Sequence, residues 1–305
     1  MGAGALWGLV FLAPAVVREF PPLDLAIGRY LAYGLISALL IGPRLRGLLP
    51  KIARREWAAL AWLSLTGNTL YYILLSTAVQ MGGIAMTSLI IGFLPVAVTI
   101  IGSRDRGAVP LRQLTLSLLL CVGGAACIGW QAVAAPAAKS TVTEATGPLC
   151  AVGALVSWTI YAVGNARCLV RLRDISAQDW NLLTGVVTGT QSLVLIPLAL
   201  LLGVVRHAPI EWVKFAGVSV GVAILASIAG NALWNRMSRL LPLTLVGQMI
   251  LFETLFALLY GFLWERRLPT PLELAAFALV VLSVVTCIAA HRKPIRATEL
   301  IPTAG

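Results

Sequence analysis

Ser64-Leu-Thr-Gly67-Asn68-Thr-Leu70-Tyr71-Tyr72 and Ser227-Ile-Ala-Gly230-Asn231-Ala-Leu233-Trp234-Asn235 are two versions of one pattern, 163 residues apart. Four of the nine positions are identical, and two more keep an apolar or aromatic character. Each copy sits inside a long apolar run. An internal repeat on this scale points to the architecture before any single span does. The match extends outward: Trp7 corresponds to Trp158, and at an offset of 160 Leu114, Cys127 and Ile128 align with Leu274, Cys287 and Ile288.

The runs that carry these matches are of membrane-spanning character. Of the 305 residues 59% are hydrophobic and 11% charged, with a mean hydropathy of +0.91, whereas a soluble domain carries roughly a quarter charged residues. At about 20 residues per spanning helix, the chain holds about ten spans and no sizeable soluble domain. A DNA-binding or ATPase domain is excluded on that ground. Apolar runs fall at Ala3 to Val17, Leu25 to Ile41, Trp57 to Val79, Ile84 to Ile101 and Leu111 to Ala135. Five more follow at Pro148 to Val170, Trp180 to Val205, Val213 to Trp234, Pro242 to Leu263 and Leu272 to Ala290. The expected fold is thus an all-α integral membrane protein of ten helices. Residues 1–135 form one five-helix repeat, 136–147 a linker, 148–290 the second repeat and 291–305 a cytoplasmic tail. An odd number of helices per unit makes the repeats inverted, and inverted repeats imply alternating access around a site near the midplane.

Topology also explains the charge. The chain carries 23 Lys and Arg against 12 Asp and Glu, a net charge of +11. With both termini cytoplasmic, 16 of the 23 basic residues fall in inner loops or the tail, as the positive-inside bias predicts. No nucleic-acid partner is needed. The first apolar run lacks a basic n-region and reads as the first helix rather than a signal peptide. Cys121, Cys127, Cys150, Cys168 and Cys287 sit in or beside spans without metal or redox spacing and read as small packing residues.

Short motifs spread along nearly the whole chain resemble the drug/metabolite transporter (EamA) superfamily in its ten-helix form. They are Trp7-Gly8, Ala26-Ile-Gly-Arg29-Tyr-Leu, Gly67-Asn68 followed by aromatics, Phe93-Leu94-Pro95-Val96, and the pairs Asp105-Arg106 and Glu265-Arg266. Within the superfamily the pattern of aromatics and amides is most similar to bacterial aromatic amino acid exporters of the YddG type. That resemblance implies the substrate class and the inner membrane as location. Helix one has no carboxylate before Glu19, so the proton-coupling acid of the superfamily's small multidrug members is not carried over.

An unpaired polar group in hydrocarbon costs several kcal/mol. Polar side chains in mid-span therefore lock helices together or face a wet pathway. Trp158, Tyr161 and Asn165 share one helical face by their spacing; Asn68 with Tyr71 or Tyr72, and Ser227, Asn231, Trp234 and Asn235, form two more. Trp7, Asn68, Tyr71, Tyr72, Trp158, Tyr161, Asn165, Asn231 and Trp234 are the expected substrate-binding residues, rings stacking on an apolar side chain and amides serving its polar groups. Trp234 also reads as an anchor at a helix end, and Trp57, Trp62, Trp180, Trp212 and Trp264 as interfacial belt residues. Glu253 is the only carboxylate near the centre of a span. Three roles stand open for it: binding a substrate ammonium, titrating during the cycle, or bonding with Gln248 between helices. Arg29 is expected to pair with Asp24 at the outer helix end. Gly4/Gly8, Gly185/Gly189 and Gly217/Gly221 are small-xxx-small pairs suited to close helix contact. Pro95 is a candidate gating hinge and Pro197 a second kink.

The expected function is secondary transport that exports aromatic and other apolar amino acids across the inner membrane, by rocking of two inverted units and without ATP, since no phosphate-binding loop is present. A single chain is the expected functional unit, with the lipid bilayer and a small solute as its partners. No cofactor or metal is expected. A sugar-phosphate or nucleotide-sugar carrier of the same fold is the alternative, but it would need two or more cations aimed into the cavity. An intramembrane enzyme is a further alternative, against which stand one central acid, two histidines outside the spans and no nucleophile turn.

Overall fold

A computed structural model describes residues 1–105, 108–134, 141–172, 174–202 and 207–292. Among these the chain is helical, without strands. The order is α1 (Gly2–Val16), α2 (Pro22–Leu48), α3 (Arg54–Ser64), α4 (Leu70–Ile91), α5 (Leu94–Gly102), α6 (Leu111–Ala134) and α7 (Thr141–Arg171). Then come α8 (Ala177–Leu202), α9 (Pro209–Val222), α10 (Asn231–Leu240), α11 (Leu243–Met249), α12 (Leu251–Glu265) and α13 (Pro271–Arg292). Among the described residues seven segments are long and apolar enough to cross a membrane: Pro22–Lys51, Arg54–Ile84, Ala145–Arg171, Ala177–Leu202, Pro209–Leu240, Leu243–Trp264 and Pro271–His291. Gly2–Val16 and Leu111–Cys127 are shorter apolar helices. At 1.5 Å per residue a 15-residue helix is about 22 Å long, less than the roughly 30 Å of a hydrocarbon core.

Where the sequence suggests continuous spans, several are interrupted. Leu65–Thr69 joins α3 to α4 as a π-turn, and Ala223–Gly230 joins α9 to α10 in the same way. Both lie at the repeated Gly-Asn pattern. Widening a helix frees carbonyls that lipid cannot satisfy, and side chains from elsewhere in the bundle take them: Ser157 Oγ donates to Thr66 O at 2.7 Å and Trp7 Nε1 to Ala226 O at 3.1 Å. The expected fourth span comes in two pieces. The backbone leaves helical geometry at Gly83 (φ 83°), which an L side chain would adopt only under strain, and turns again at Gly92–Phe93 before α5. Pro95 lies in the first turn of α5, where a missing N–H costs nothing. It follows a break rather than kinking a helix in mid-course. The ninth span is likewise divided at Ile250.

The major contacts join one half of the chain to the other: α2 packs on α8, α4 on α7, α6 on α13, α1 on α12 and α5 on α11. Small residues let these helices meet closely. A Cβ on Gly34 would stand 2.6 Å from Gly189 Cα, and one on Gly4 2.6 Å from Phe252 Cβ. Asp24, Gly34 and Ser37 of α2 recur as Asp179, Gly189 and Ser192 of α8, 155 residues later, so the α2–α8 crossing sets matching positions against each other. Ser117 and Ser283 exchange hydrogen bonds to each other's carbonyls across α6–α13, at 2.8 and 2.6 Å. Gly217 and Gly221 make no such contact, with open space where a Cβ would stand.

No seam therefore separates the halves. The stretch read as a linker is partly helical, because α7 already opens at Thr141; residues 135–140, and 293–305 of the tail, lie outside the described residues. Ion pairs mark the two ends of the bundle. Arg44–Asp179 (2.8 Å) and Arg171–Glu56 (3.3 Å) tie the α2–α3 connection to the α7–α8 connection, and Arg167–Asp105 (2.8 Å) joins α7 to the chain after α5. At the other end Lys214–Glu19 (3.3 Å) joins α9 to the α1–α2 connection. Half-exposed pairs of this kind add little stability.

Candidate functional site

The two π-turns bring residues of both halves together inside the bundle. Gly67 and Gly230 each leave space that an aromatic ring from the opposite half fills: Tyr161 lies over Gly67, and Trp7 Nε1 stands 2.8 Å from where a Cβ on Gly230 would be. Three tryptophans thereby meet. Ring centroids lie 5.6 Å apart for Trp7 and Trp158, 4.9 Å for Trp7 and Trp234 and 5.3 Å for Trp158 and Trp234. Tyr161 and Tyr71 flank Trp158 at 5.7 and 6.3 Å. Trp7 is held by donating Nε1 to Asn231 Oδ1 at 3.0 Å, and Asn68 Nδ2 donates to Thr188 Oγ1 at 3.3 Å.

Inside this ring of aromatics lies a cavity of about 20 Å³, room for one water molecule. Trp7, Asn68, Tyr71, Trp158, Tyr161, Asn231 and Glu253 line it, together with Val10, Arg29, Tyr30 and Gly67. Seven residues singled out from the sequence thus surround one space. Tyr72, Asn165 and Trp234 are not part of its wall. Asn165 has both ends of its amide engaged, Nδ2 donating to Asn235 Oδ1 at 2.8 Å and Oδ1 accepting from Trp180 Nε1 at 2.8 Å. Trp180 is fully buried in that contact, not at the interface as its position near a span end suggests. Trp57, Trp62, Trp212 and Trp264 are exposed, in keeping with a belt.

Arg29 is the residue whose place the sequence misled. Rather than pairing with Asp24, it turns inward: Nε and Nη2 donate to Ser227 Oγ at 3.2 and 3.1 Å. Its guanidinium carbon lies 4.4 Å from the Tyr72 ring centre and 4.9 Å from that of Tyr30. Seven residues past Pro22, it sits about 10 Å along the helix by the standard rise, deep enough that snorkelling to the outer surface competes poorly with buried partners. The available signal was Tyr30, Tyr33 and Ser37 on the same helix, a polar-aromatic face that a lipid-exposed helix does not need. Glu253 stands in the first turn of α12, where the helix dipole favours a carboxylate. Gln248 does not pair with it and instead accepts from Ser283 Oγ at 3.2 Å.

The wall carries unusual polar atoms for the interior of a membrane protein. Arg29 Nη1, Tyr71 Oη and Glu253 Oε2 are buried and without a hydrogen-bond partner. An arrangement of this kind suits a small ligand with a polar head and an apolar or aromatic body.

Comparison with known proteins now bears on the chain as a whole. Residues 1–130 match the model of the EamA-like transporter family. The inner membrane protein YtfF of Escherichia coli (strain K12) is 33% identical over 314 aligned residues, covering 96% of this chain and 94% of that one. The chain belongs to the EamA-like transporter family. A solved crystal structure, 17% identical, superposes over 95% of this chain and 96% of its own with a TM-score of 0.69, so the fold is shared far beyond recognisable sequence identity. Membership of the EamA-like transporters makes the chain a multi-pass membrane transporter. In that setting the central cavity, reached by residues of both halves, is the candidate solute site.

Proposed function

We propose that this EamA-like transporter is a secondary carrier of the bacterial inner membrane that exports aromatic and other apolar amino acids. The observation that carries the proposal is the cavity wall, where three unpartnered polar atoms and four aromatic rings of the sequence-expected site face one space. Rings receive the apolar side chain; Asn68, Asn231, Tyr71 and the buried charges receive the ammonium and carboxylate groups. The basic residues grouped at the α2–α3 and α7–α8 connections favour a cytoplasmic placement of that end, and hence of both termini. The inner-membrane relative YtfF supports the location.

Residues 1–135 and 148–290 are read as inverted five-helix repeats, and transport as alternating access around the cavity. A space for one water does not admit an amino acid. Loading therefore requires Trp7, Trp158 and Trp234 to part, opening to one side at a time. Because the closest packing joins opposite halves, the moving bodies are groups of helices drawn from both repeats, not one repeat against the other. The breaks at Gly92–Phe93, just before Pro95, and at Ile250 are the proposed hinges. No ATP and no partner chain enter the cycle. A sugar phosphate fits this wall less well, since a dianion would meet one guanidinium together with the Glu253 carboxylate.

The test is counterflow in liposomes loaded with unlabelled tryptophan, phenylalanine, alanine, glutamate or a sugar phosphate. Labelled aromatic amino acids should accumulate transiently, ahead of glutamate and sugar phosphate. Accumulation of the sugar phosphate alone would contradict the proposal.

A further inference from the structure

Arg29 and Glu253 are the one basic and the one acidic residue of the cavity wall, and their surroundings go beyond an amide-lined site. Each is almost wholly buried, at 6% and 4% exposure. No ion pair within 4 Å joins them to each other or to another described residue. Three contacts fix the guanidinium: Ser227 takes Nε and Nη2, and the Tyr72 and Tyr30 rings flank its plane. Nη1 is left over, without a hydrogen bond of its own. On the acid, Oε2 is equally unpartnered.

Helix packing alone does not call for either charge. At the 155-residue offset that aligns α2 with α8, the counterpart of Arg29 is Thr184, whose carbonyl meets Ser64 as Arg29 meets Ser227. At the 160-residue offset, the counterpart of Glu253 is Phe93. The same framework is therefore built once without the charge at each place. A guanidinium without a counter-ion, and an acid without a partner for its carboxyl group, are each costly to keep in a low-dielectric interior. A ligand that supplies both opposite charges removes that cost for both groups at once.

Resting on the amino acid reading above, we infer that Arg29 is the carboxylate-binding residue of the cavity and Glu253 its ammonium-binding counterpart, so that the site selects zwitterions. Nη1 gives one charge-assisted hydrogen bond to a carboxylate oxygen, and the substrate's ammonium bonds to Glu253 from the facing half. An aromatic amine lacking the carboxylate leaves Arg29 unpaired. An aromatic acid lacking the amine leaves Glu253 unpaired. Either mismatch leaves a buried polar group unsatisfied, the condition under which a site discriminates strongly.

The experiment compares tryptophan, tryptamine and indole-3-propionate on the intact protein, by ligand-induced thermal stabilisation in detergent and by competition against tryptophan counterflow in liposomes. Wild-type protein should prefer tryptophan over both analogues by about 100-fold or more. Arg29→Gln should cut the preference over tryptamine at least about tenfold while leaving that over indole-3-propionate larger, and Glu253→Gln should do the reverse. Wild-type protein that takes tryptophan and tryptamine equally well overturns the Arg29 assignment but leaves amino acid transport standing. So does an unchanged preference in folded Arg29→Gln. Should that variant fail to fold, the wild-type comparison decides. Protein that ignores tryptophan but takes indole-3-propionate upholds an anion site at Arg29 and overturns both the zwitterion selection and the amino acid reading; protein that takes none of the three overturns everything proposed for the cavity.

Discussion

Ser64 and Ser227 hold matching positions in the two halves, yet Ser64 donates to the Thr184 carbonyl at 3.3 Å whereas Ser227 accepts two hydrogen bonds from Arg29. Around them the scaffold is the same. Both segments widen into a π-turn, both place a glycine under an aromatic ring from the opposite half, and both follow it with an asparagine. What differs is charge: the first half contributes Arg29 and the second Glu253, each where its counterpart is uncharged. In the proposed reading, the repeat supplies a frame able to open to either side, while departures from it supply a polarised site. A solute with distinct ends needs that second property, which a perfect repeat could not provide.

Substitutions can break this comparison or sharpen it. The largest effect is expected at Trp158, which touches aromatics of both halves. Trp158→Ala should lower stability by about 3–5 kcal/mol and abolish tryptophan counterflow in the folded fraction; normal flux would remove Trp158 from the site. Next comes the α2–α8 crossing. Gly34→Val forces a side chain against the Gly189 backbone and should cost about 1–3 kcal/mol of overpacking, read as a lower thermal midpoint.

Smaller, and aimed at the asymmetry itself, is the pair Ser64→Ala and Ser227→Ala. Loss of Ser227 leaves Arg29 Nε and Nη2 unbonded and should cost about 1–3 kcal/mol, against about 1 kcal/mol or less for Ser64. Only Ser227→Ala should also weaken tryptophan binding in a competition assay. Equal effects would mean that the two serines do the same work. The smallest effect is expected for Gly217→Ala, where the new methyl meets nothing within 4 Å; a change beyond about 0.5 kcal/mol would show that α9 packs more tightly than described.

Much of this frame was legible in the sequence because membrane spans leave a strong signal and the Gly-Asn pattern appears twice. Seven cavity residues were legible as well, since a Trp, Tyr, Asn or Glu in mid-span has few reasons to be there. The misreadings have a common physical cause. The sequence locates Arg29, Trp180 and Asn165 only by distance from a helix end or by helical face, but depth depends on what the neighbouring helix offers. Ser227 draws Arg29 inward, and the Asn165 amide holds Trp180 in the core. Gly217 and Gly221 show the converse: spacing that permits close contact does not create it. Interleaving of the halves was not legible, because a repeat in sequence says how units resemble each other and not how they pack.

The most direct test is a structure of the protein with tryptophan bound. The ligand should lie between Arg29 and Glu253, carboxylate toward the guanidinium and ammonium toward the acid, with the indole among Trp7, Trp158 and Tyr161 after the three tryptophans have moved apart. Tryptophan bound elsewhere, or in the cavity with its charged groups turned away from both residues, would contradict the central claim.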